Sequence, residues 1–187
     1  MLYPERRIAA DGYRNPGPGG TDRHRSIEAG DEFRTRAGFR SGDVGPLLLP
    51  ALAADVDGDG KFDLFVPDFT NTCLYMNIGD GFFEDLAHRA GIAILCGRYV
   101  SGGAALVDLE LDADLDLYVA NGDGRKLLGH PDLVFVNQGA GEFREVSQLC
   151  GVAALQKRVS RGVAAGDLDN DGDLDLVVMN LNDRPLL

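Results

Sequence analysis

Tryptophan is absent from this chain, and cysteine and histidine occur three times each. Cys73, Cys96 and Cys150 are odd in number and lack metal-type spacing, so neither a disulfide framework nor a zinc site is signalled. They read as small buried residues. His24, His88 and His130 fall outside any repeated constellation, and no nucleophile motif or phosphate loop accompanies them, which argues against an enzyme. No apolar run approaches the roughly 18 residues of a membrane span, so membrane insertion is not expected. The opening residues, Met1-Leu2-Tyr3-Pro4-Glu5-Arg6-Arg7, lack the apolar stretch of a secretory signal; the expectation is a segment of a longer protein. Basic charge is scarce after residue 40. Residues 1–40 hold eight Arg against six acids, whereas residues 41–187 hold ten Lys or Arg against 24 acids. A body so acidic lacks the basic footprint of nucleic-acid binding.

What is abundant is aspartate at fixed spacing. The run Asp167-Leu168-Asp169-Asn170-Asp171-Gly172-Asp173-Leu174-Asp175 puts carboxylates at its first, third, fifth and ninth positions and glycine at its sixth. Like charges a few ångströms apart raise one another's pKa and oppose folding, so this set calls for a cation. Hard oxygen donors in this number suit calcium rather than zinc or copper. The loop occurs twice more, as Asp55, Asp57, Asp59 and Asp63 with Gly60 at the sixth position, and as Asp108, Glu110, Asp112 and Asp116 with Ala113 there. First positions lie 53 and 59 residues apart, the mark of a repeat architecture. An EF-hand needs glutamate at position 12 and flanking helices; position 12 is Val66, Val119 and Val178, each inside a strand-like run. The second of up to three sites should be the weakest. Glu110 fits a tight loop less well than aspartate, Ala113 in a left-handed conformation costs about 1 kcal/mol, and Asp114 adds another negative charge.

Residues 1–32 are rich in Gly, Pro and Arg and read as a disordered arm. Residues 33–187 read as repeats. Phe83 and Phe143 each stand six residues after an asparagine (Asn77, Asn137) and eight before a glycine (Gly91, Gly151). Short runs rich in Val, Leu, Phe and Tyr give strand A at 47–54, 103–107 and 162–166, and strand B at 64–67, 115–120 and 174–179. Strand C follows at 73–76 and 133–136, and strand D at 82–85 and 142–146. The fold expected is all-β: a partial β-propeller of four-stranded antiparallel blades at about 47–90, 99–150 and, incomplete, 159–187, with a lone strand D near Phe33. Two and a half to three blades, roughly, make an open arc whose edges invite self-association. A sandwich would not require the same loop chemistry on every repeat. From Asp116 to Asn137 is 21 residues, against 14 from Asp63 to Asn77. The extra residues, around Asp123–His130, are expected to project from one rim as a dispensable recognition loop.

The repeat resembles the FG-GAP or VCBS calcium-binding repeat, the blade unit of the integrin α-subunit N-terminal propeller. The run at 167–178 and the Asn-x-Gly-x-Gly-x-Phe pattern at Asn137–Phe143 are similar to secreted proteins of the cartilage acidic protein type, which often end in an ASPIC/UnbV domain. The resemblance covers about residues 33–187 and implies ligands from positions one, three and five, the position-seven carbonyl of Lys61, Asp114 or Asp173, and the position-nine carboxylate of Asp63, Asp116 or Asp175. It implies an extracellular or periplasmic adhesion module with a protein or glycan ligand. The alternatives are a scaffold segment in a secreted enzyme of polysaccharide lyase or phospholipase type, or a purely structural repeat.

Overall fold

Alternation of side chains decides how the strands are used. In a computed structural model, which describes residues 24–26, 51–67, 72–80, 82–151 and 155–187, the strand β7 (Asp116–Asp123) is buried along its whole length. Successive residues of a strand point to opposite faces, so β7 must be apolar on both. Leu117 and Val119 pack on one side with Phe65, Leu74 and Met76 of the preceding repeat. Tyr118 and Ala120 pack on the other with Val163, Leu176 and Val178 of the following one. Such a sheet is the middle of three stacked layers, which explains why its strands read as near-continuous apolar runs rather than clean alternation.

Each layer is an antiparallel blade. The first orders as β1 (His24–Ser26), β5 (Phe82–Asp85), β4 (Cys73–Gly79), β3 (Asp63–Val66) and β2 (Leu52–Ala54). The second orders as β10 (Phe143–Glu145), β9 (Leu133–Asn137), β7 and β6 (Ser101–Val107), with β8 (Leu128–Gly129) on the end of β7. The third is β11 (Ser160–Gly166) paired with β12 (Asp175–Asn180). Among the described residues no sheet closes on itself, and β6 lies beside β2 on one flank and β11 on the other. This is the open arc of a partial β-propeller, with strands A, B, C and D in the order expected. A one-turn helix, α1 (Ala93–Cys96), joins the first two blades and buries Cys96 beneath Ile92.

Four expectations need correction or limits. The arm at 1–32 lies outside the described residues except for His24–Ser26, which is a strand: its residues pair with Phe82, Phe83 and Glu84 and supply the hydrogen-bond partners that the outer edge of β5 would otherwise lack. The strand near Phe33 and the start of strand A at 47–50 also lie outside them. Cys150 is exposed, unlike the buried Cys73 and Cys96. The insertion does not project as a free loop. Leu128 and Gly129 pair with Asp123 and Gly122, and His130 exchanges backbone hydrogen bonds of 2.9 and 3.2 Å with Arg158 of the next repeat. Gly129 permits this contact, since a Cβ there would stand 2.5 Å from the Lys157 carbonyl oxygen. At the far end, Leu186 and Val178 exchange bonds of 2.9 and 3.0 Å, matching Leu133 opposite Val119 and Cys73 opposite Val66. The first pairing of a third strand C is therefore present.

Candidate metal centre

Each acidic loop joins strand A to strand B and is closed by its own carboxylates. The first-position aspartate accepts the N–H groups of positions five and six. Asp55 takes those of Asp59 and Gly60 at 3.0 and 2.9 Å, Asp108 those of Asp112 and Ala113 at 3.1 and 2.9 Å, and Asp167 those of Asp171 and Gly172 at 3.2 and 3.2 Å. The fifth-position aspartate accepts from position seven: Lys61, Asp114 and Asp173 donate to Asp59, Asp112 and Asp171 at 2.9, 3.0 and 3.0 Å. Asp57 and Asp169 accept from Asp59 and Asp171 at 3.2 Å. Glu110, one methylene longer, makes no equivalent bond among the described residues.

Closing so tightly requires two left-handed residues per loop, at positions four and six. The pairs are Gly58 (φ 75°) and Gly60 (86°), Leu111 (58°) and Ala113 (74°), and Asn170 (63°) and Gly172 (99°). Glycine and asparagine take this conformation readily, whereas leucine and alanine are strained in it. The sixth position was legible from its glycines; the fourth was missed, though Gly58 and Asn170 carried the signal.

The carboxylates converge unequally. Ligand-capable oxygens of Asp55, Asp57 and Asp59 lie within 4.8 Å of one another, as do those of Asp167, Asp169 and Asp175. Asp108, Glu110, Asp112 and Asp116 form no such group among the described residues. Burial, then the charge of Asp112, pushes the Glu110 carboxyl above its usual range. The Lys61 ammonium lies against Asp59, and that hydrogen bond holds the Asp59 carboxyl below its ordinary value. The donors are oxygen throughout, with no histidine or thiolate among them, which fits a hard cation such as calcium.

The family comparison agrees with this repeat. FG-GAP-like repeat matches cover residues 55–119 and 108–178, each running from the first aspartate of one loop to position 12 of the next. This chain belongs to the FG-GAP-like repeat family. Cartilage acidic protein 1 of Xenopus tropicalis is 27% identical over 142 residues, which covers 68% of this chain and 20% of that protein. The chain thus spans about a fifth of that relative's length.

Within each FG-GAP repeat the ninth-position aspartate has a structural task of its own. Asp63 is 1% exposed; its Oδ2 accepts Val56 N–H at 2.9 Å and its Oδ1 accepts Asn77 N–H at 2.7 Å. Asp116 is 0% exposed and does the same for Leu109 and Asn137, both at 2.8 Å. Among the described residues, Asp175 accepts only Leu168 N–H, at 3.0 Å, and is the one ninth-position residue that joins a converging group. Burial pushes the Asp63 and Asp116 carboxyls up despite these bonds. A carboxylate oxygen has a second lone pair, so a capping role leaves room for a ligand role. The asparagines were read from the sequence only as register marks. Their amides turn out to hold the acidic loops: Asn77 Nδ2 donates to Phe62 O at 3.2 Å, and Asn137 Nδ2 donates to Leu115 O at 3.2 Å.

Proposed function

We propose that this chain is a calcium-binding β-propeller segment of an extracytoplasmic protein, used for adhesion or ligand binding rather than catalysis. What supports the reading is the convergence of oxygen-only donors at the same place in the first and third repeats. Calcium would be held by the carboxylates of positions one, three, five and nine together with the position-seven carbonyl, that is Lys61, Asp114 or Asp173. Water would complete the six to eight oxygens calcium takes. When bound it supplies the positive charge that offsets the repulsion among these aspartates, so that metal affinity becomes folding free energy. Loop two carries Glu110 and two strained residues, and is the weakest of the three. Millimolar extracellular calcium suits sites of modest affinity. The partner is a protein or glycan met outside the cytoplasm, with the blades as its rigid support.

Calorimetric melting in calcium and in excess chelator tests the metal assignment. Calcium at about 100 times its dissociation constant adds roughly 2.7 kcal/mol per site, so chelation should lower the melting temperature by many degrees. An unchanged melting temperature would remove the proposal. Asp169→Ala should lower affinity at loop three more than Glu110→Ala lowers it at loop two, because Glu110 already lacks the bond that Asp169 makes; equal losses would contradict the ranking.

A further inference from the structure

We propose that Asn137 is a positioning residue that couples the first two metal loops, so that calcium at one raises affinity at the other. The inference rests on the calcium reading above. Besides its bond to Leu115 of loop two, Asn137 Nδ2 donates at 2.9 Å to the carbonyl of Val56, the second residue of loop one. Asn137 is 1% exposed and comes from strand C of the second blade. A continuous chain of hydrogen bonds therefore joins the ninth-position aspartates of two repeats. Asp116 Oδ1 accepts Asn137 N–H at 2.8 Å, Asn137 Nδ2 donates to Val56 O at 2.9 Å, and Val56 N–H donates to Asp63 Oδ2 at 2.9 Å. All four residues are at most 3% exposed.

Among the described residues, loops one and two are the pair so linked. The side-chain amide of Asn77, the counterpart of Asn137 in the first blade, donates only to Phe62 of its own loop among the described residues. Two further contacts fix the approach of blade two to loop one. A Cβ on Gly141 would lie 3.2 Å from Met76 Cε and 3.9 Å from Asp57 Cβ, and Phe143 N–H donates to Ala90 O at 3.0 Å. Loop one is thus braced from outside at the backbone of its second residue, next to Asp55 and Asp57. A cation that fixes Asp116 fixes Asn137, and Asn137 fixes the carbonyl between two candidate ligands of loop one. Releasing Val56 O would leave that carbonyl and one hydrogen of the buried amide unpaired, which makes the brace stiff.

The test is a calcium titration of the full chain followed by NMR. The amide resonances of Gly60, Ala113 and Gly172 report loops one, two and three, because each donates to the first-position aspartate of its own loop. Asp112→Asn removes an exposed ligand of loop two without touching the buried chain. It should weaken calcium binding at Gly60 by about fivefold or more, the lower end of typical coupling, and leave Gly172 unchanged. In an Asn137→Ala background the same substitution should leave the Gly60 midpoint where it was. Asn77→Ala is the control and should preserve the coupling. Should Asn137→Ala fail to fold, the Asp112→Asn comparison in the otherwise native chain still decides. A Gly60 midpoint that ignores Asp112→Asn overturns the coupling while leaving calcium binding intact. If none of the three amides responds to calcium, the calcium reading itself fails and the coupling goes with it.

Discussion

Two residues show how local chemistry sets the limits here. Ala113 holds φ at 74° where loops one and three have glycine. Ala113→Gly should stabilise the protein by up to about 1 kcal/mol, part of the relieved strain being offset by the freer unfolded chain. Urea denaturation reads this directly, and a loss of stability would mean the alanine is not strained. Asp132 is 1% exposed between blades two and three, where it accepts Tyr118 Oη–H at 2.8 Å, Ser160 Oγ–H at 3.0 Å and Asn121 N–H at 2.7 Å. Burial raises its carboxyl above the ordinary 3.8. Folding therefore favours the protonated form. The stability this group contributes is complete below the unfolded value and is lost as the pH rises through the folded one. Asp132→Asn should cost about 1–3 kcal/mol by leaving a donor without an acceptor, and the wild-type margin over the variant should shrink from pH 4 to pH 7. Melting curves of both proteins across that range provide the check; a margin that widens with pH would reverse the assignment.

At the level of elements, the contacts that matter are those between blades. A Cβ on Gly102 would stand 2.4 Å from Ser160 O, and one on Gly103 2.6 Å from Arg161 O, so β6 and β11 touch backbone to backbone. Gly102→Ala should force the blades apart and cost about 1–3 kcal/mol, seen as a lower urea midpoint with an unchanged calcium affinity at loop one. The insertion belongs to the same seam. Deleting residues 124–129 would break the two bonds between His130 and Arg158, each worth about 1 kcal/mol, and should destabilise the third blade; a deletion variant that melts like the wild type would return the segment to the status of a free loop. The strands themselves were legible, because short Val-, Leu- and Phe-rich runs bounded by Gly, Asn and Asp leave little choice. The partner of the insertion was not, since Gly129 and His130 meet residues nearly thirty positions away and nothing in their own composition names Arg158.

For the molecule as a whole, protection against hydrogen exchange should be graded. It should be highest in Leu117–Ala120 and Leu133–Val136, whose two faces are both covered. It should be lowest in β11 and β12, where Ala164, Ala165 and Met179 are exposed. Uniform protection across the three sheets would contradict the layered arrangement. The sequence by itself determined the repeat, the acidic loops and the strand order, because each rests on local chemistry: side-chain spacing, turn residues and carboxylates at fixed intervals. Only the tertiary structure decided that Asp63 and Asp116 are buried caps, that Asn137 reaches into the neighbouring loop, and that the insertion folds onto the third blade. These depend on which backbone amides and carbonyls a blade presents to its neighbour, and that is fixed by how closely glycine-lined strands stack, a distance no single repeat encodes.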